Sequence, residues 1–98
     1  MVVVLAPRAR RERDAIHRYI ARQRGAAAAN EMIGKIMQSV NLLEHHPDMG
    51  RNLEGGDQLL AVPGTYYVVL YHHHPRLEIV RVKRVIDGRR IVDTLQRR

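Results

Sequence analysis

The stretch that decides the fold of this chain is LEIVRVKRVIDGRR, residues 77–90. Its β-branched residues predict a strand over about Leu77–Val85, with Val80 and Val82 on one face. The opposite face is predicted to change from apolar to basic as the strand leaves the core, and its residues are Leu77, Ile79, Arg81, Lys83 and Val85. A strand that becomes basic at its far end and leads into further arginines is suited to contact with polyanions or acidic protein surfaces.

Charge is concentrated towards the two ends of the 98-residue chain, whose formal net charge is +7. Residues 8–24 carry seven arginines against two acidic residues, and residues 76–98 carry eight basic residues against three acidic ones. Residues 25–75 carry two basic and five acidic groups. This pattern favours a directed electrostatic field, with a merely solvated arginine-rich surface as the alternative.

Length and composition limit the class of protein. A chain of 98 residues predicts one domain with a modest core. The absence of cysteine excludes a disulfide scaffold and a thiolate metal site. The apolar run Met1–Ala6 is too short for a signal peptide, and no stretch approaches the length of a membrane span, so we expect a soluble, cytoplasmic protein.

The N-terminal half predicts a strand followed by two helices. Residues 2–5 have the composition of a short buried strand, and Pro7 suits the first turn of a helix that runs to about Gln23. Gly25 is a plausible C-cap, and a second helix is predicted from about Ala26 to His45, before Pro47. Its apolar stripe is Ala29, Met32, Ile33, Ile36, Met37, Val40 and Leu43. Two helices joined by so short a link predict an antiparallel hairpin.

Three strands are predicted in the C-terminal half, over about Gln58–Val62, Tyr66–His72 and Leu77–Val85. The middle one is apolar on both faces and is therefore predicted to be central in the sheet. The element order is β-α-α-β-β-β. We predict an α+β fold in which a helical hairpin packs on a small, mainly antiparallel sheet.

Six histidines raise the possibility of a metal site. Adjacent residues of a strand point to opposite faces, so residues 72–74 cannot direct three imidazoles at one ion. We therefore interpret His72-His73-His74 and His45-His46 as polar residues of a turn and a helix end, and we expect no metal or other cofactor. Tyrosines 66, 67 and 71 are predicted to be core aromatics of the sheet rather than base-stacking residues.

Several short motifs, taken in order, resemble the ParE toxins of the ParE/RelE superfamily of type II toxin–antitoxin systems. They are Pro7-x-Ala9, Ile16-x-x-Tyr19-Ile20-Ala21, Leu42-Leu43, Pro47-x-Met49-Gly50-Arg51, Val62-Pro63-Gly64, Tyr67-Val68-Val69-Leu70-Tyr71, Ile79-Val80-Arg81-Val82 and Gly88-Arg89-Arg90. The resemblance implies one toxin domain over residues 1–98, with a short basic tail from about residue 86. It also implies a cognate antitoxin encoded beside the toxin, and DNA gyrase as the target.

The RelE branch of the same superfamily implies ribosome-dependent mRNA cleavage instead. Cleavage by 2′-OH attack needs an acid and a base as well as cations. No His or Tyr follows His74, and the carboxylates Asp87 and Asp93 are flanked by basic residues that favour plain ion pairs. We therefore favour gyrase inhibition without catalysis, and RelE-like cleavage remains the alternative. The target-binding residues are predicted to be Arg81, Lys83, Arg84, Arg89 and Arg90.

The antitoxin is expected to be acidic in its C-terminal half and to contact the helical hairpin and sheet near Tyr19, Met37 and Arg51. The tail over residues 91–98 is expected to stay mobile until a partner binds. A third hypothesis, which the positive net charge permits, is that the chain is a non-toxic nucleic-acid-binding module. No helix-turn-helix, zinc-finger or RNA-recognition signature supports it.

Overall fold

A computed structural model describes residues 1–90 of the chain. Its elements, in chain order, are β1 (Val2–Leu5), α1 (Pro7–Arg24), α2 (Ala26–Leu42), β2 (Arg51–Asn52), β3 (Asp57–Ala61), β4 (Tyr67–His74) and β5 (Ile79–Asp87). The predicted β-α-α-β-β-β order and the α+β class are confirmed. The short strand β2 is an addition to the prediction.

The five strands form one sheet in the order β1-β5-β4-β3-β2. β1 pairs with β5 in parallel, and the other neighbours are antiparallel, so the sheet is mainly antiparallel as predicted. The apolar strand β4 lies in the middle of the sheet, with β5 paired to one of its edges and β3 to the other. β5 lies between β4 and β1, which places its basic end beside helix α1.

The two helices pack together and cover one face of the sheet. Gly25 joins them with a φ of 91°, and its N–H donates to the carbonyl of Ala21 over 2.9 Å. A positive φ of this kind favours glycine, so the sequence at this position permits the tight link. The buried core between helices and sheet consists of Ala9, Ile36, Val40, Leu43, Leu60, Val62, Val69, Tyr71, Val80, Val82 and Val85.

Helix α2 ends at Leu42, three residues earlier than predicted. The amides of Leu43, Glu44 and His45 each donate to the carbonyl three residues earlier, rather than four as in an α-helix, for example His45 N–H to Leu42 O over 3.2 Å. The chain therefore tightens into turns well before Pro47 breaks the helix.

The strand ends also differ from the prediction. β5 begins at Ile79 because residues 75–77 form a 3₁₀ turn and Glu78 adopts a positive φ of 53°. It continues to Asp87, so the predicted basic tail from about residue 86 begins inside the strand. β4 extends to His74 because the residues predicted as a turn pair with β5.

A β-bulge overturns one predicted face of β5. Leu70 pairs with Arg84 and Tyr71 pairs with Val82, so Lys83 is an extra residue without an opposite partner. An extra residue reverses the in–out alternation beyond it. Val85 was predicted to share a face with Arg81 and Lys83, and it instead joins Val80 and Val82 in the core.

Candidate functional site

The bulge in β5 divides the basic residues of that strand between two surfaces. Arg81, before the bulge, and Lys83, at the bulge, lie on the sheet face opposite the helices, because Val80 and Val82 face the core. After it, Arg84 lies against helix α1, where its side chain is 18% exposed. The local sequence permits this arrangement because Val82 and Val85, which flank Lys83 and Arg84, favour an extended backbone.

Glu12 of α1 holds the strand just beyond the bulge. Its Oε2 accepts hydrogen bonds from Arg84 Nη2 over 2.6 Å and from Arg84 Nε over 3.2 Å. Its Oε1 accepts from the backbone N–H of Val85 over 3.1 Å. β1 ends at Leu5, opposite Val82, so the Val85 amide lies past the end of that neighbouring strand. Glu12 therefore supplies the acceptor that a longer β1 would have provided, and it fixes the direction in which β5 leaves the sheet.

Asp87, the last residue of β5, fixes Arg89 in the turn that follows. Arg89 donates to the two carboxylate oxygens from Nε over 3.1 Å and from Nη2 over 2.7 Å, and its backbone N–H donates over 2.9 Å. These hydrogen bonds from Arg89 lower the pKa of Asp87, although partial burial of the carboxylate opposes the shift. The guanidinium also lies 4.4 Å from the centre of the Tyr66 ring, at cation–π distance.

Gly88 brings this turn close to the start of β4. Its N–H donates to the carbonyl of Tyr66 over 2.5 Å. A Cβ atom at position 88 would lie 2.7 Å from that same carbonyl oxygen, so only glycine fits without a backbone shift. The turn Gly88–Arg90 is thus held at three points, through the Tyr66 carbonyl, the Tyr66 ring and the Asp87 carboxylate.

Two open cavities flank this turn beside α1. One, of about 360 Å³, is lined by residues that include Glu12, Tyr19, Tyr67 and Arg90. The other, of about 500 Å³, shares Tyr19 and Tyr67 and reaches to Met32 of α2. Burial raises the pKa of the Tyr67 phenol, and the nearby Asp87 carboxylate raises it further, so Tyr67 is a neutral hydrogen-bonding group at physiological pH.

A family model described as "ParE toxin of type II toxin-antitoxin system, parDE" matches residues 3–92, which include this whole arrangement. The chain belongs to the ParE toxin family. Among solved structures it is similar to a chain titled "Chromosomal ParDE TA system from P. aeruginosa", with a TM-score of 0.79 and 18% identity. The similarity covers 89% of this chain and 95% of that chain, and at this identity it shows a shared fold. No curated protein sequence matches the chain.

The five residues predicted to bind the target do not form one continuous face in this ParE-family chain. Arg81 and Lys83 lie on the open sheet face, Arg84 is paired with Glu12, and Arg89 and Arg90 lie in the turn at the strand end. Within residues 1–90, Arg81 and Arg90 make no ion pair. Sequence reasoning missed Glu12 as the partner of Arg84, because nothing in the local sequence connects two residues 72 positions apart.

The three residues predicted to bind an antitoxin lie at separate places. Tyr19 is 57% exposed and lines both cavities beside the Gly88–Arg90 turn. Met37 packs partly against the core and lines a shallow depression on α2 that also includes Leu42. Arg51 is exposed on the edge strand β2. A partner that contacts all three must therefore extend over the hairpin and the sheet edge.

Tyr66 corrects the prediction that all three sheet tyrosines are core aromatics. Tyr71 is fully buried and its hydroxyl accepts a hydrogen bond from the Gly50 N–H over 2.8 Å. Tyr66 is 65% exposed because it precedes β4 and its ring lies under Arg89.

Among residues 1–90, no three His, Cys, Asp or Glu side chains are grouped as a metal site, and neither helix is long and apolar enough to cross a bilayer.

Proposed function

We propose that this ParE-family toxin inhibits DNA gyrase through the basic end of β5 and the turn that follows, and that a cognate antitoxin neutralises it. The observation that carries the proposal is the fixed position of Arg89, which is held by Asp87 and Tyr66 while its side chain stays exposed. A cation already held in its binding geometry loses little conformational entropy when it meets a partner. Gyrase acts on DNA in the cytoplasm, which is where the proposal places the toxin.

The electrostatic field supports a large acidic partner. Helix α1 carries most of the basic residues of the N-terminal half and packs against β5, so the two arginine-rich segments of the sequence lie side by side in the fold. Adjacent patches of one sign add their fields and accelerate the approach of an oppositely charged surface. Acidic protein and DNA phosphate both satisfy this requirement, and a gyrase–DNA complex offers both.

The geometry of Asp87 favours binding over RNA cleavage at this end of the protein. A general base must be able to accept a proton near neutral pH. The Arg89 guanidinium occupies both oxygens of Asp87 and lowers its pKa, which makes this carboxylate a weak base. Asp93, the other predicted base, lies outside the described residues. So weak a base at the end of β5 favours gyrase inhibition without bond chemistry by the toxin.

The antitoxin part of the proposal is supported by exposed apolar side chains on the helical hairpin and by the open edge of β2. Tyr19 and Leu42 are 57% and 44% exposed, and they lie on different helices. An extended antitoxin segment can cover apolar residues of this kind and then pair with a sheet edge. Its expected acidic character complements the net charge of +7.

The deciding experiment is a gyrase supercoiling assay with purified toxin, run beside a translation reaction in which mRNA cleavage is monitored. We expect loss of supercoiling, accumulation of cleaved DNA and intact mRNA. The variant Arg89→Gln/Arg90→Gln should relieve the inhibition. The matched control Arg8→Gln/Arg76→Gln removes the same charge from exposed positions away from the turn and should remain inhibitory.

Cut mRNA with normal supercoiling would refute the gyrase proposal and assign the toxin to the RelE-like alternative. Equal loss of inhibition in both double variants would show that net charge, rather than the Gly88–Arg90 turn, governs the effect. For the antitoxin, gel filtration of the toxin mixed with the neighbouring-gene product should show a stable complex, and two separate peaks would refute that part.

A further inference from the structure

The open face of the sheet carries a second group of cations, separate from the Gly88–Arg90 turn. Because Tyr71, Val80 and Val82 face the core, their neighbours His72 and Arg81 face the other way. His72 pairs directly with Arg81 across β4 and β5, and with Asp57 across β3 and β4. Within residues 1–90, both helices pack on the opposite face and neither covers this group.

Asp57 organises the group by holding two cationic side chains. Its Oδ2 accepts a hydrogen bond from Lys83 Nζ over 2.9 Å, and its Oδ1 lies 3.0 Å from His72 Nδ1. Burial would raise the pKa of Asp57, but the hydrogen bonds from Lys83 and His72 outweigh it and lower the pKa. The carboxylate is therefore ionised at neutral pH and fixes the orientation of the His72 ring.

The charges of the group do not cancel. His74 lies two residues along the same strand face, with its ring centre 4.4 Å from that of His72. Among residues 1–90, neither Arg81 nor His74 makes an ion pair, and Lys83 remains 45% exposed. The negative charge of Asp57 is thus smaller than the combined positive charge of Lys83, Arg81 and up to two imidazolium ions. An excess of positive charge therefore remains on this surface.

We propose that His72, His74, Arg81 and Lys83 form a binding site for a phosphate group, with an affinity that rises when the two histidines are protonated. The His72 ring directs Nδ1 at Asp57, so a neutral His72 that donates there has only a lone pair left on Nε2. Protonation adds an N–H donor at Nε2, which a phosphate oxygen can accept. Lys83 and Arg81 supply the cationic donors that do not depend on pH in this range.

The charged and titratable side chains that face His72 from the adjoining strands all bear on this pH dependence. Asp57 of β3 places a negative charge beside His72, whereas Arg81 and Lys83 of β5 add positive charge and His74 of β4 adds a second imidazole. A bound phosphate compensates that repulsion between cations, so protonation and phosphate binding should reinforce each other by linkage. The site does not depend on the identity of the toxin's target.

The test is an NMR titration of the imidazole signals with inorganic phosphate at about pH 6 and about pH 8, the range over which histidine changes charge. We expect saturable shifts of His72 and His74 at the lower pH, and binding weaker by about tenfold at the higher pH. The variant His72→Gln/His74→Gln lacks both reporter imidazoles, so its phosphate binding is followed through the backbone amide signals of β4 and β5, and it should lose the pH dependence. The matched control His45→Gln/His46→Gln, on an exposed turn away from the sheet, should keep it.

Lys83→Gln provides a second route to the same conclusion, because it leaves both histidines in place as reporters and should weaken phosphate binding at both pH values. Equal shifts at all six histidines, or equal losses in the two double-histidine variants, would overturn the proposal. A short oligodeoxynucleotide tested beside inorganic phosphate identifies the source of the phosphate. Tighter binding of the oligonucleotide indicates a nucleic-acid backbone, and equal binding indicates a free phosphate. Because the titration contains no gyrase, a lack of phosphate binding would not bear on the proposed inhibition of gyrase.

Discussion

Replacing Glu12 by glutamine tests whether the contact between α1 and β5 stabilises the fold. Glutamine keeps the shape of the side chain and can still accept from the Val85 amide, but its NH₂ group faces the donors of Arg84. Glu12 and Arg84 are 22% and 18% exposed, so water replaces the lost contacts only in part. Hydrogen bonds to charged groups contribute about 1.5–3 kcal/mol, and we expect the free energy of unfolding to fall by about 2 kcal/mol.

For a domain of this size, about 2 kcal/mol corresponds to a decrease in Tm of roughly 8–16 °C. Urea unfolding followed by circular dichroism measures the free energy directly, provided that the transition is two-state. The matched control is Glu31→Gln, which removes an equal charge from a 72% exposed partner of Lys35. Exposed helical pairs of this kind contribute about 0.3–0.5 kcal/mol, so the control should remain close to the parent protein.

A double-mutant cycle with Arg84→Met isolates the interaction between the two side chains. We expect a coupling energy of about 1–2 kcal/mol, because the residues are in direct contact. If Glu12→Gln costs no more than Glu31→Gln, or if the coupling energy is near zero, then Glu12 is a replaceable surface residue. Glu12 would then not be the residue that directs β5 as it leaves the sheet.

Three further changes probe other parts of the structure. Gly88→Ala would place a Cβ 2.7 Å from the Tyr66 carbonyl oxygen and should displace the basic turn. The proposed inhibition of gyrase should then weaken at least severalfold, while the far-ultraviolet circular dichroism spectrum stays unchanged. Tyr71→Phe leaves the Gly50 amide without its buried acceptor and should lower the free energy of unfolding in urea by about 1–3 kcal/mol. The pKa of Asp57 is lowered in the fold, so its ionised form adds stability above the unfolded value of about 3.9, and this is lost as pH falls through the folded value. Acid titrations should therefore show a shallower loss of stability for Asp57→Asn than for the parent, and parallel curves would contradict the assignment.

The order of elements was predictable because each carries a strong periodic signal. The apolar stripe of α2 and the two apolar faces of β4 correctly indicated a helical hairpin and a central strand. Boundaries were less accurate where side chains do not decide them. The end of α2 depends on a change of hydrogen-bond spacing, and the strand β2 has only two residues, too few for a pattern.

The candidate site was predictable in composition but not in arrangement. The sequence showed which residues are basic, yet charge alone carries no information about the face on which a residue lies. That information depends on the bulge at Lys83, which is an irregularity of pairing between β4 and β5. If the side chains are assumed to alternate regularly through residue 83, Val85 is assigned to the wrong face. The faces assigned to the residues after it are then wrong as well.

The bulge and Glu12 depend on each other physically. Without the extra residue, regular alternation would place Val85 opposite the core and remove an apolar side chain from it. With the bulge, the Val85 amide lies past the end of β1 and needs an acceptor, which Glu12 provides together with a counter-ion for Arg84. Arg81 and Lys83 thus share one face with His72 and His74, whereas Arg89 and Arg90 lie in the turn after the end of the strand. One strand can therefore present two separate cationic surfaces, and an experiment that neutralises all five basic residues at once cannot tell them apart.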